Sequence, residues 1–248
     1  MSKISTAFEN GKAFIPFITC GDPDLEASVA FAKEMARAGA DILELGIPFS
    51  DPTAGGPILQ ASSERALSAG TTTDKVFDMV KELRKEVTVP IIFVTYANVV
   101  FSYGAERFMS KCREIDVDGI ILLDIPYEEQ DEFLPVMKEY GINLISLIAP
   151  TSENRISMIA AEAEGFIYID SSLRDVDIKG LASKVKAVSD IPCVINPCIS
   201  TPEQAKTLSQ YADGVSVESA VVEIIAEYGK DATSHIYEYV KSMKDAIG

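Results

Sequence analysis

Two short apolar runs, Phe14-Ile15-Pro16-Phe17-Ile18-Thr19-Cys20 and Asp41-Ile42-Leu43-Glu44-Leu45-Gly46-Ile47, enclose an amphipathic stretch from Asp24 to Ala38. Within that stretch Leu25, Val29, Ala32 and Met35 recur at spacings of three and four, the period of a helix with one buried stripe. Strand, helix, strand in this order is a βαβ unit, and its two strands run parallel. The rhythm continues along the chain. Further strand-like runs are Pro90 to Tyr96, Gly119 to Asp124, Asn143 to Ala149, Phe166 to Ser172, Pro192 to Cys198 and Gly214 to Glu218. Eight parallel strands in alternation with helices can close into a (β/α)8 TIM barrel, whereas an open doubly wound sheet usually stops at about five or six. A single α/β domain spanning residues 1–248 is therefore expected, with any chemistry at the C-terminal ends of its strands. A short helix before Phe14 would cap the opposite end. Two helix starts are also legible: Ser152 ahead of Arg155 and Ile156, and Thr201-Pro202-Glu203, a cap followed by proline at the first helical position.

Composition narrows the function classes. Hydrophobic residues make up 47% of the chain and charged residues 24%, the balance of a globular domain. A net charge of −16, with no run of Lys and Arg, repels nucleic acid and anionic membrane surfaces. No apolar run approaches the roughly eighteen residues of a membrane span, and Met1-Ser2-Lys3-Ile4-Ser5 lacks the apolar stretch of a signal peptide, so a cytoplasmic location is expected. Cys20, Cys112, Cys193 and Cys198 form no CxxC pair and signal neither zinc nor disulfides. His235, the single histidine, lies in a C-terminal amphipathic stretch, which excludes histidine-dependent triads and assigns it to the surface.

One strand breaks its own pattern. Glu44 stands among apolar residues, and burial there costs several kcal/mol unless the carboxylate is paired or hydrogen-bonded. Burial also raises a carboxyl pKa toward the range useful for proton transfer, which makes Glu44 the leading catalytic candidate. A purely structural carboxylate satisfied by a backbone or lysine partner is the competing reading. The following segment, Pro48-Phe49-Ser50-Asp51-Pro52-Thr53-Ala54-Gly55-Gly56-Pro57, combines three stiffening prolines with a Gly-Gly hinge. It reads as a lid, a contact loop or an ordinary connection.

These residues carry a resemblance. Phe14 to Thr19 with Gly21-Asp22-Pro23, and then Glu44 to Pro52, are similar to the signature of the tryptophan synthase α subunit family. The likeness extends through Gln60-Ala61-Ser62, Tyr96 and Asn98, Tyr103-Gly104, Asp124-Ile125-Pro126, Ala149-Pro150-Thr151 and Ile199-Ser200-Thr201-Pro202, and so covers nearly the whole chain. The resemblance implies a retro-aldol cleavage of indole-3-glycerol phosphate to indole and glyceraldehyde 3-phosphate, in tryptophan biosynthesis, without metal or cofactor. It implies that Glu44 shuttles the proton, that Phe17, Tyr96, Tyr168 and Ser219 surround the substrate, and that Asp51 and Pro52 face a β subunit.

Departures from the family pattern cluster at the implied site. Gly55 stands where the family has the acidic partner of the indole NH, a loss that predicts at least a tenfold to hundredfold lower rate, given about 1.5–3 kcal/mol for a charge-assisted hydrogen bond. After the sixth strand, Ser171-Ser172-Leu173 leads through Arg174 to Gly180 in a shorter loop than the family's mobile Gly-Val-Thr-Gly segment. Asn196-Pro197-Cys198 replaces Gly-Phe-Gly, and Glu218-Ser219 replaces Gly-Ser at a helix N-terminus. A carboxylate there opposes a phosphate by about 4 kcal/mol per unit pair at about 4 Å. Three expectations follow: the parent lyase in impaired form with Lys179 or Arg174 supplying charge, an inactive barrel that only docks on a β subunit, or a lyase-like enzyme with a non-phosphorylated or cationic substrate. The last would use a ring of negative charge from Glu44, Asp124, Asp170 and Glu218.

Overall fold

The computed structural model describes residues 3–170, 177–196 and 199–248. Its strands are β1 (Ala13–Thr19), β2 (Leu43–Gly46), β3 (Ile91–Thr95), β4 (Gly119–Leu122), β5 (Asn143–Leu144), β6 (Ser146–Ile148), β7 (Ile167–Asp170), β8 (Cys193–Asn196) and β9 (Gly214–Val217). The first helices are α1 (Lys3–Thr6), α2 (Leu25–Arg37), α3 (Pro57–Ser68), α4 (Thr73–Leu83), α5 (Ala97–Tyr103) and α6 (Ala105–Glu114). They are followed by α7 (Leu134–Tyr140), α8 (Ile156–Glu162), α9 (Ile178–Lys186), α10 (Pro202–Leu208), α11 (Ser219–Tyr228) and α12 (Thr233–Ile247). Every strand pair is parallel, in the order β5-β4-β3-β2-β1-β9-β8-β7-β6. Because β5 and β6 are consecutive pieces of one run, the order returns on itself and the sheet is a nearly closed TIM barrel. The expected single strand from Asn143 to Ala149 is thus corrected to two pieces flanking Ile145, the first laddered to β4 and the second to β7.

Alternation sorts the side chains. On β1, Ala13, Ile15 and Phe17 point into the barrel with Ile92, Val94, Ile121, Tyr168 and Val194, while Phe14 and Ile18 pack outward against the helices. The lower end is plugged as expected: Ile4 of α1 is fully buried in the interior cluster, and the Phe8 ring meets that of Phe166 at 5.9 Å. Asp24 caps α2 by accepting from the Ala27 amide at 2.8 Å, one of the orphan donors of a helix start. The buried face of α2 centres on Ala27, Phe31, Ala32 and Met35, with Leu25 and Val29 at its margin, a rotation from the predicted stripe that brings in Phe31. Thr201 caps α10 in a reciprocal pair with Gln204, as the Thr-Pro signal predicts. Ser152 does not cap a helix: it is buried inside a 3-10 turn, Pro150–Arg155, and α8 begins at Ile156. Asp41 lies before β2, where its carboxylate accepts from the Phe14 amide at 2.7 Å and the Lys244 ammonium at 2.8 Å. His235 is exposed and stacks on Tyr228. No helix among the described residues is long and apolar enough to cross a membrane.

One ion pair carries the loop after β1. The buried Asp22 accepts from Arg65 Nε and Nη2 at 2.8 and 2.7 Å and from the Ser62 hydroxyl at 2.6 Å. Both donors belong to α3, so the position of that helix, and of the loop that leads into it, is keyed to the end of β1.

Candidate active site

The C-terminal ends of the strands surround a cavity of about 930 Å³. Phe17, Val94, Ile121 and Tyr168 form its apolar depth, and Asn196 and Glu218 stand on one wall. Ser219, the first residue of α11, and Pro52 also line it. The structure therefore places Phe17, Tyr96, Tyr168 and Ser219, expected around a substrate, on one cavity, and with them Pro52, expected to face a β subunit. Asp51 is exposed outside the cavity, where its carboxylate accepts from the Ser50 hydroxyl at 2.7 Å.

Glu44 has no solvent-exposed surface. It points inward from β2, in register with Phe17 of β1 and Ile92 of β3, neither of which offers a hydrogen bond. Oε2 accepts from the Ser216 hydroxyl at 3.0 Å and the Tyr168 hydroxyl at 3.4 Å, while Oε1 has no partner among the described residues. Among the described residues no lysine and no backbone amide satisfies it, so there the structural alternative raised by the sequence finds no partner for this carboxylate. Burial, then the charge of Glu218, hold its pKa well above the ordinary range, and the two hydroxyl donors only partly oppose them. The floor is narrow because β2 carries Gly46 one step above: a Cβ there would lie 2.5 Å from the Phe17 ring.

Tyr168 is the hub. Its hydroxyl lies 2.9 Å from Ser216 Oγ and 3.3 Å from Glu218 Oε1, and burial with two neighbouring carboxylates drives its pKa up. Glu218 Oε1 also accepts from the Asn196 amide at 2.8 Å. Burial pushes the Glu218 carboxyl up to about 7, with Asp170 adding to the shift and the Tyr168 and Asn196 donors reducing it. Ser216 was missed by the sequence reading, although a signal for it existed. In Gly214-Val215-Ser216-Val217-Glu218 the two polar residues are two apart, which places them on one face of a strand.

The expected ring of four carboxylates is corrected at Glu44, which lies below the rim. Asp124, Asp170 and Glu218 line the cavity, and Asp124 is engaged by the Ala97 amide at 2.8 Å. Lys179 does not supply charge to the cavity: its ammonium sits 5.9 Å from the ring centre of Tyr211. The shortened loop at Ser171 to Val176, Arg174 included, and Pro197-Cys198 lie outside the described residues.

The segment after β2 is tied to β3 by Tyr96. Its hydroxyl donates to the Ala54 carbonyl at 2.9 Å and accepts from the Ala54 amide at 3.2 Å, and its ring packs 5.1 Å from that of Phe49. Gly55 has φ +85°, and a Cβ there would meet Leu59 at 2.9 Å. Glycine is thus suited to this backbone, and any side chain there displaces Leu59.

With this geometry in place, comparison with known proteins is direct. The sequence model of the family described as tryptophan synthase alpha chain matches residues 4–248. A tryptophan synthase alpha chain of Lacticaseibacillus casei is 45% identical, covering 100% of this chain and 96% of the relative. That of Lactiplantibacillus plantarum is 42% identical, with 100% and 97% coverage. A crystal structure of the tryptophan synthase alpha chain from Legionella pneumophila superposes with a TM-score of 0.92 at 36% identity, covering 100% of this chain and 97% of that one.

Proposed function

The chain belongs to the tryptophan synthase alpha chain family, and from that premise we propose that it is a carbon–carbon lyase of the family type, working at reduced efficiency on indole-3-glycerol phosphate. The observation that carries this reading is Glu44: fully buried, held by Ser216 and Tyr168 through one oxygen, with the other left open. A carboxyl group with a raised pKa can give a proton to the indole ring carbon and take one from the substrate hydroxyl. The carbon–carbon bond between them then breaks to leave indole and an aldehyde, with no net change in protons. Phe17, Val94 and Ile121 provide the apolar surface for an aromatic ring, and the cavity is large enough for a substrate of this size. No metal or cofactor is required.

Attenuation follows from the wall. Gly55 brings no carboxylate to an indole NH, and Glu218 puts negative charge beside Ser219, where a phosphate would otherwise meet the start of α11. Steady-state release of indole from indole-3-glycerol phosphate tests the reading, and undetectable turnover, alone and with a β subunit added, would sink it. Gly55→Asp is expected to raise kcat/KM about tenfold by restoring a charge-assisted hydrogen bond. The same change should cost stability through the positive φ and the Leu59 contact. An unchanged kcat/KM would show that the indole NH is held elsewhere.

Glu218 also favours a second reading, a lyase-like reaction on a non-phosphorylated substrate. Competition for binding between indole propanol phosphate and its unphosphorylated alcohol separates the two, since the second reading requires the alcohol to win. Docking on a β subunit is assigned to Asp51, exposed, and Pro52, at the rim. A pull-down with β subunit tests this, and absence of binding at micromolar concentration counts against it.

A further inference from the structure

The cleavage returns Glu44 to its starting state, but that starting state has to be set by exchange with solvent before substrate binds, and Glu44 has no exposed surface through which to exchange. Its neighbours in the sheet, Phe17 and Ile92, carry no exchangeable side-chain proton. One side of it is different. Ser216 Oγ lies 3.0 Å from Glu44 Oε2, Tyr168 Oη lies 2.9 Å from Ser216 Oγ, and Glu218 Oε1 lies 3.3 Å from Tyr168 Oη. Tyr168 and Glu218 both line the cavity, and Glu218 is the carboxylate of the two. We propose that Glu218 is the proton port of Glu44, and that protons pass between them along Ser216 and Tyr168.

The transfer balances at each link. An inward proton leaves Glu218 Oε1 for Tyr168 Oη, the tyrosine releases its own proton to Ser216 Oγ, and the serine releases its own to Glu44 Oε2, along the observed direction of the inner two hydrogen bonds. One O–H bond breaks as the next forms, so Glu44 ends as acid, Glu218 ends as carboxylate, and both hydroxyls are restored; the outward transfer is the reverse, after the hydroxyls turn. Glu218 then exchanges with the cavity. Burial raises both end carboxyls, so each end of the chain can hold a proton. The groups acting on the port are Asn196 from β8, which donates to it, and Asp170 from β7, whose charge raises it; Glu218 is in turn the charge acting on Glu44. Ser216 and Glu218 share one face of the chain at β9 and its end, so a single segment supplies both a relay hydroxyl and the port.

The inference rests on the reading of Glu44 as the proton-transferring group, but its test needs no substrate. In the full-length chain, with glutamate side-chain carboxyls isotope-labelled, the Glu44 resonance is assigned by its loss in Glu44→Gln and followed by NMR through its titration. Rapid relay predicts one averaged line that moves continuously with pH. Glu218→Gln, whose amide oxygen still accepts from Asn196, removes the port, and Tyr168→Phe removes the hydroxyl that reaches both carboxylates; both are expected to lose the averaged line, giving a broadened or split Glu44 signal at the midpoint. Ser216→Ala leaves the longer 3.4 Å contact between Tyr168 and Glu44 and is expected to broaden the line less. A wild-type signal that is already split, or folded variants that all keep the averaged line, would overturn the relay. A chain that passes this test yet releases no indole refutes the lyase reading and leaves the relay standing; a chain that fails it while turning over does the reverse.

Discussion

Glu44→Gln is expected to lower the rate of indole release by about 10²- to 10⁴-fold, the usual contribution of a positioned general acid–base group. The amide is close in shape to the carboxyl, and its oxygen can still accept from Ser216 and Tyr168, so the interior retains its hydrogen bonds. What is lost is the ability to take and return a proton. Turnover of the purified variant, beside circular dichroism to verify the fold, checks this. A rate within a few-fold of wild type would remove Glu44 from the chemistry. Folding stability should rise at neutral pH in the same variant, because an inward carboxyl with an unpartnered oxygen is costly to ionise and an amide carries no charge.

The second large effect concerns Glu218 and is a matter of pH. In the unfolded chain this carboxyl ionises near 4.5, whereas in the barrel it holds its proton to about 7. Below pH 4.5 both states are protonated and the contribution to stability is complete. As pH rises from there, the unfolded chain gains by ionising while the folded chain does not, and by pH 7 the contribution is lost. The window of 2.5 pH units between 4.5 and 7 corresponds to about 3 kcal/mol. Glu218→Gln carries no such dependence. The difference in urea-unfolding free energy between variant and wild type is therefore expected to move by about 3 kcal/mol in favour of the variant between pH 4.5 and pH 7. Parallel curves would mean that Glu218 titrates alike in both states and is well solvated in the barrel.

The barrel was legible because its signals are local and repeated. Each strand is a short apolar run, and Asp24 and Thr201 announce helix starts by side chains that satisfy the first free amides. Glu44 was legible for a related reason: a carboxylate in an apolar run has few ways to be satisfied, so its presence is informative by itself. The partners were harder. Ser216 lies 172 positions from Glu44, and only the closure of the sheet brings them within hydrogen-bond distance. Period-two alternation could have paired Ser216 with Glu218, but not with Tyr168. Tyr96 was read as a pocket residue, and nothing in its neighbourhood predicts a two-way bond to the Ala54 backbone. Ser152 misled because serine ahead of a periodic stretch is the usual sign of a cap; Pro150 instead starts a 3-10 turn that encloses it. Lys179 misled because charge near a strand end was read as charge at the cavity, whereas helix geometry carries it over Tyr211.

The break at Ile145 has a mechanical consequence. A closed barrel is a hoop, and this hoop has a clasp: β5 and β6 are one run broken at Ile145, held by two register pairs to β4 and three to β7. Other ladders are as short, such as the two pairs between β8 and β9, but here the strand itself is interrupted, and an interrupted wall gives readily. The pin in the clasp comes from far away in the chain, since Gly165 leaves room for both Ile145 and Ile4 to crowd against the same spot. A four-residue helix is too short to hold its own shape, yet by wedging Ile4 into that seam α1 locks the opposite half of the ring. Loosening the first few residues should thus be felt not at the start of the barrel but at its middle, on the side away from Glu44's strand.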